Sequence, residues 1–209
     1  MKHTMMTLAV ALAFGLGGAA GAATPTTATP DTTAKTTAPA SGMSKQDYKA
    51  QKDRIDADYK TAKKQCDDQK GNPKDVCKAE AKGKHEVAKA ELEAQYKPSA
   101  KADAKVKKEK AEADYKVAKE KCEELKGNAK DVCKKDAKAA YESAKGDAKV
   151  AKAAGEKGAS SAKATEERKD AREDTSDAKY AAAKERCDAM SGQAKDNCLS
   201  DVKKKFGKM

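Results

Sequence analysis

The placement of six cysteines constrains this chain more than any other feature. They fall into three pairs with ten residues between partners: Cys66 and Cys77, Cys122 and Cys133, Cys187 and Cys198. A tyrosine stands seven residues before each first cysteine, at Tyr59, Tyr115 and Tyr180. The intervening segments match as well, reading DDQKGNPKDV, EELKGNAKDV and DAMSGQAKDN. The chain therefore carries one unit three times, its copies 56 and then 65 residues apart, with an insertion in the second spacer.

Each unit reads as an αα-hairpin. Gly71, Gly127 and Gly192 occupy the same place between the cysteines, where a helix is expected to end in a left-handed conformation that a Cβ would oppose. Asn72 and Asn128 are expected to cap the following helix, with Pro73 at a tolerated first position. Asp75, Asp131 and the equivalent Asp196 then face the unsatisfied N–H groups and positive end of that helix. Gln193 is a weaker cap than Asn, so the third turn is expected to be the loosest.

On this hairpin both cysteines of a pair lie ~7.5 Å from the turn, level with each other. The register predicts the disulfides Cys66–Cys77, Cys122–Cys133 and Cys187–Cys198. Two turns further down, the same register sets His85, Tyr141 and Phe206 beside Tyr59, Tyr115 and Tyr180, a ring-on-ring clamp in every copy. Ala62, Ala118 and Ala183 on one helix and Ala81, Ala137 and Val202 on the other are expected to form a narrow seam between disulfide and rings.

Composition agrees with an all-α chain of three disulfide-clamped hairpins, elongated or loosely bundled. Of 209 residues 38% are charged and 4% aromatic, which is too little bulky apolar material for a broad α/β or β-sandwich core. Surface stretches such as KVKKEKAEADYKVAKEKCEE place acids and bases at i,i+4 spacing, as in solvated coiled-coil helices of low complexity. The hairpins are expected at 43–98, 99–154 and 162–209, with a break at Pro98 and Ser99 and a linker over 155–161.

The N-terminus reads as an address. Lys2, the apolar run TLAVALAFGL and the small-residue exit GGAAGAA have the layout of a cleavable secretory signal over 1–23, cut after Ala22 or Ala23. That apolar run is too short to cross ~30 Å of hydrocarbon, so no transmembrane span is expected in the mature chain. The Thr/Pro/Ala tract of 24–42 is expected to be a disordered linker. Export supplies the oxidising compartment that disulfides require.

The candidate chemistries are few. A Cys-His nucleophile needs a free thiolate beside an imidazole, whereas every cysteine has a partner and His85 is the one histidine beyond the signal. The C-x₁₀-C spacing is not that of a zinc site or of a dithiol oxidoreductase. No catalytic residue, metal ligand or cofactor is therefore expected. The net charge of +11 suits anionic partners such as lipid, lipopolysaccharide or another polyanion, with the most basic stretches at KADAKVKKEK (101–110) and KKKFGK (203–208). Aromatics suited to base stacking are absent from the basic face, so nucleic acid is not expected.

The pattern Y-K-x-A-K-x-x-C followed by G-N-x-K-D-x-C, carried by Tyr59, Cys66, Gly71, Asp75, Cys77 and their equivalents, resembles exported Gram-negative proteins labelled as cell-envelope biogenesis or TolA-like proteins. The resemblance implies a periplasmic, non-enzymatic helical protein with an envelope-associated spacer or interaction role, partnered by an envelope protein or an anionic surface.

Overall fold

The computed structural model describes residues 42–155 and 161–208. The signal sequence, all but the last residue of the Thr/Pro/Ala tract, and the stretch 156–160 lie outside the described residues. Six α-helices follow in order: α1 (Lys45–Gln65), α2 (Asn72–Tyr96), α3 (Ala100–Cys122), α4 (Gly127–Gly155), α5 (Ser161–Cys187) and α6 (Gly192–Lys205). A short 3₁₀ turn, Cys66–Asp68, closes α1. No strand occurs among the described residues. The fold is all-α, with three disulfide-clamped antiparallel hairpins.

Local chemistry sets the helix ends. The Ser44 hydroxyl accepts from the backbone N–H of Asp47 at 3.0 Å and opens α1. Ser99 accepts from the N–H of Ala102 at 3.1 Å and opens α3 directly after Pro98, whose ring ends what precedes it. The linker expected over 155–161 is narrower than that, since Gly155 is still helical in α4 and Ser161 already helical in α5.

The turns differ from the sequence expectation in one respect. Gly71 does not end α1; it caps the start of α2, with φ 63° and ψ −150°, a region essentially confined to glycine. Gly127 and Gly192, with φ 55° and 56°, are likewise the opening residues of α4 and α6. The first helix of each hairpin stops earlier, at its cysteine, because the positive φ is needed to swing the chain into the second helix.

Each helix packs only against the helices before and after it in the chain, so the six form a row. Burial follows this order. The end helices α1 and α6 bury no residue, whereas the inner helices bury small ones: Ala81, Gly83 and Ala90 on α2, Ala104 and Ala111 on α3, Ala139, Gly146, Ala148 and Ala153 on α4, Ala171 and Ala182 on α5. Leu92 is the one large aliphatic side chain in the core among the described residues. Several of the small residues recur every seventh position (Gly83 and Ala90; Ala104 and Ala111; Ala139, Gly146 and Ala153), the spacing of a helix-helix seam.

That seam was expected within each hairpin and runs between hairpins as well. A Cβ on Gly83 of α2 would stand 2.7 Å from the Ala113 Cβ of α3, and one on Gly146 of α4 would stand 2.7 Å from the Ala171 Cβ of α5. A Cβ on Gly155 of α4 would come closer still to the Ala100 Cβ of α3, inside the second hairpin. Of the seam residues expected within the hairpins Ala81 is buried, whereas Ala62, Ala118, Ala183, Ala137 and Val202 are only half-buried.

Candidate functional site

The singled-out side chains cluster along the hairpins, the disulfides and turns at one end of the row. The disulfides are Cys66–Cys77, Cys122–Cys133 and Cys187–Cys198, with Cα–Cα distances of 5.5, 5.7 and 5.7 Å, and no free cysteine remains among the described residues. The first cysteine of each pair is fully buried, so each bridge sits against the hairpin interior.

Below the bridges lie the rings. Tyr59 stacks on His85 at 4.5 Å between centroids, Tyr115 stacks on Tyr141 at 5.0 Å, and Tyr180 meets Phe206 edge-on at 5.8 Å. His85 is held further: its Nε2 lies 2.6 Å from Asp56 Oδ1 and its Nδ1 3.3 Å from Glu86 Oε1. The hydrogen bond from His85, with help from Lys52, holds the Asp56 carboxyl below its usual range. A further ring pair escaped the sequence reading: Tyr48 stacks on Tyr96 at 4.5 Å, at the foot of the first hairpin. The pairing register extended down the same seam would have found it.

The asparagines do something other than cap their own helices. Asn72 is the first residue of α2, and its Nδ2 donates to the Glu120 carbonyl oxygen of α3 at 2.6 Å. Asn128 repeats this one hairpin later, donating to the Glu185 carbonyl of α5 at 2.7 Å. Both carbonyls belong to the last turn of a helix, where each also accepts a backbone N–H, from Glu123 and from Asp188, and the asparagine adds a second donor. Each asparagine thus staples the turn of its hairpin to the turn of the next. In the third copy Gln193 instead donates to Asn197 on its own helix at 3.0 Å. The Asn-to-Gln change, read from sequence as a weakened cap, goes with a side chain that bonds within its own helix.

Replacing Asn128 with alanine is expected to lower stability by about 1 kcal/mol, because one inter-hairpin hydrogen bond is lost while Glu185 keeps its backbone partner. Asn128→Asp should cost more, since a carboxylate cannot donate and would face a carbonyl oxygen. Gln193→Ala should leave the urea midpoint unmoved. An Asn128→Ala midpoint equal to that of the unaltered protein would remove the staple from the account.

Asp75, Asp131 and Asp196 are exposed; Asp75 stands in the first turn of α2 as expected, whereas Asp131 and Asp196 fall beyond the opening turn of their helices. The carboxylate just after each first cysteine adds ion pairs across the turn. Asp67 pairs with Lys74 and Lys78 at 3.2 and 3.3 Å, Glu123 with Lys130 and Lys134 at 2.6 Å each, and Asp188 with Lys195 at 2.8 Å. The two lysines hold Glu123 down to about 2, and the lysines facing Asp67 and Asp188 lower those carboxyls as well. These pairs are solvated and tie the turn loosely across its two helices.

No family model, curated protein or solved structure matches the chain. No group of three or more His, Cys, Asp or Glu side chains is placed to hold a metal ion among the described residues, and no helix there is long and apolar enough to cross a membrane.

Proposed function

We propose that this chain is an exported, non-enzymatic helical-repeat protein of the periplasm, acting as an envelope-associated spacer or interaction module. The observation that carries the reading is the row itself: six helices packed in chain order, tied at their turns by disulfides and asparagine staples, with end helices that bury nothing. Such a row spans distance with little core and offers long charged faces to partners. Three closed disulfides fit an oxidising compartment, and the N-terminal address, cut after Ala22 or Ala23, would deliver the chain there. The likeness to TolA-like envelope proteins points the same way.

In a Gram-negative host the protein should leave with the osmotic-shock fraction, begin at Ala23 or Thr24, and resist alkylation until reduced. Crosslinking in intact cells should then join it to an envelope protein. Full-length chain in the cytosol with alkylatable thiols would overturn the proposal.

A further inference from the structure

One octapeptide pattern occurs twice on facing helices. Lys101–Lys108 of α3 reads KADAKVKK and Lys145–Lys152 of α4 reads KGDAKVAK, both K-x-D-A-K-V-x-K. The lysines stand at i, i+4 and i+7 with the alanine at i+3, so each pattern presents one basic stripe with a small residue in its middle. Because α3 and α4 run antiparallel, the stripes are related by a local pseudo-two-fold.

The two stripes line the same groove, of about 610 Å³. Ala104 and Ala148, both buried, form its floor together with Ala102. With Lys97 from the end of α2, seven lysines border the groove against two carboxylates, Glu93 and Glu109. Lys105 pairs with Glu93 at 2.5 Å, Lys108 with Glu112 at 3.0 Å and Lys145 with Glu142, while Lys149 lies 3.9 Å from Asp174. Lysines outnumber carboxylates along the groove, over alanines and lysine stems that leave the floor apolar.

We propose that this groove binds a phosphorylated amphiphile bearing at least two negative charges. Its phosphates lie between the lysine stripes and its apolar part lies on the Ala102, Ala104 and Ala148 floor. A pseudo-two-fold pair of stripes, each spanning ~10 Å of helix, suits two anionic groups better than one. The apolar floor belongs to this groove, which Lys203, Lys204 and Lys205 at the basic end of α6 do not line. The inference is independent of the spacer reading, which stands whether or not the groove is occupied.

The test is co-sedimentation of the oxidised protein with phosphatidylcholine vesicles containing cardiolipin, at low salt. Wild type should bind and be released by high salt. Lys101→Glu/Lys149→Glu should weaken binding by about tenfold or more, a loss of about 1.4 kcal/mol. Lys203→Glu/Lys204→Glu, with the same change in charge, should alter it by less than about twofold, well inside that margin. Lys101→Gln/Lys149→Gln should give an intermediate loss with an unchanged melting curve, which separates binding from folding. Equal losses in the groove and α6 variants, or no binding by wild type, would overturn the proposal. So would inorganic pyrophosphate alone displacing the vesicles at matching concentration, since the floor would then contribute nothing.

Discussion

Replacing Cys187 and Cys198 together by serine is expected to release α6 while the helices from α2 to α5 stay formed. In amide hydrogen exchange, residues 192–205 should lose nearly all protection, and residues 100–155 should keep theirs. The argument begins with length and burial. α6 has 14 residues and buries none of them, and an isolated helix of that length is marginal in water. What holds it to α5 is the bridge, the Tyr180–Phe206 contact and the Lys208–Asp177 and Lys195–Asp188 ion pairs. A disulfide closing a loop of this size contributes about 3 kcal/mol by the chain-entropy model, more than the half-buried ring contact or either solvated ion pair.

The middle bridge should behave differently. α3 is flanked by α2 and α4, and α4 by α3 and α5, so Cys122→Ser/Cys133→Ser should lower the melting temperature of the whole row without freeing either helix at room temperature. Uniform loss of protection in both variants would show that the row folds as one cooperative block and that its ends are not held separately.

Gly146→Ala is expected to destabilise the protein by about 1–3 kcal/mol, against the ordinary preference of a helix interior for alanine over glycine. The preference for alanine is worth about 1 kcal/mol in the favourable direction, so the sign depends on space. The new Cβ would stand 2.7 Å from the Cβ of Ala171, an atom fixed to its own backbone that cannot rotate away. α4 and α5 must therefore separate, and the burial of Ala153 and Ala182 loosens with them. Exchanging the partners supplies the check: Gly146→Ala/Ala171→Gly moves the methyl group to the other helix and should recover most of the lost melting temperature. A single variant more stable than wild type would mean the helices have room to spare.

The hairpins were legible because their determinants are local. Ten residues between cysteines, a glycine at a constant place and a ring two turns away are a complete register for two antiparallel helices, and the bridges and the rings of Tyr59, Tyr115 and Tyr180 lie along it. The packing between hairpins was not legible for the opposite reason. Alanine is so frequent that Ala171, which meets Gly146 of the preceding hairpin, looks no different from half-buried Ala183, and only the neighbouring helix distinguishes them. Asn72 and Asn128 were misjudged on the same ground. An asparagine after a turn glycine is an N-cap by every local rule, and its true acceptor, the Glu120 or Glu185 carbonyl, lies 48 or 57 residues away in sequence. The one signal available was the replacement of Asn by Gln in the third copy, where the side chain bonds within its own helix instead.

The bridges also fix how this chain would answer a pull on its two ends. Each disulfide joins residues separated by 11 positions, so a stretched chain passes from one sulfur to the other and leaves the turn between them slack. At ~3.5 Å per extended residue, each loop withholds about 35–40 Å of contour length that tension cannot recruit. The three turns, with their glycines and lysine-paired carboxylates, therefore stay out of the path of force even when the helices beside them yield. Under tension the protein would lengthen in its helices and keep its turns, and reduction alone would set that hidden length free.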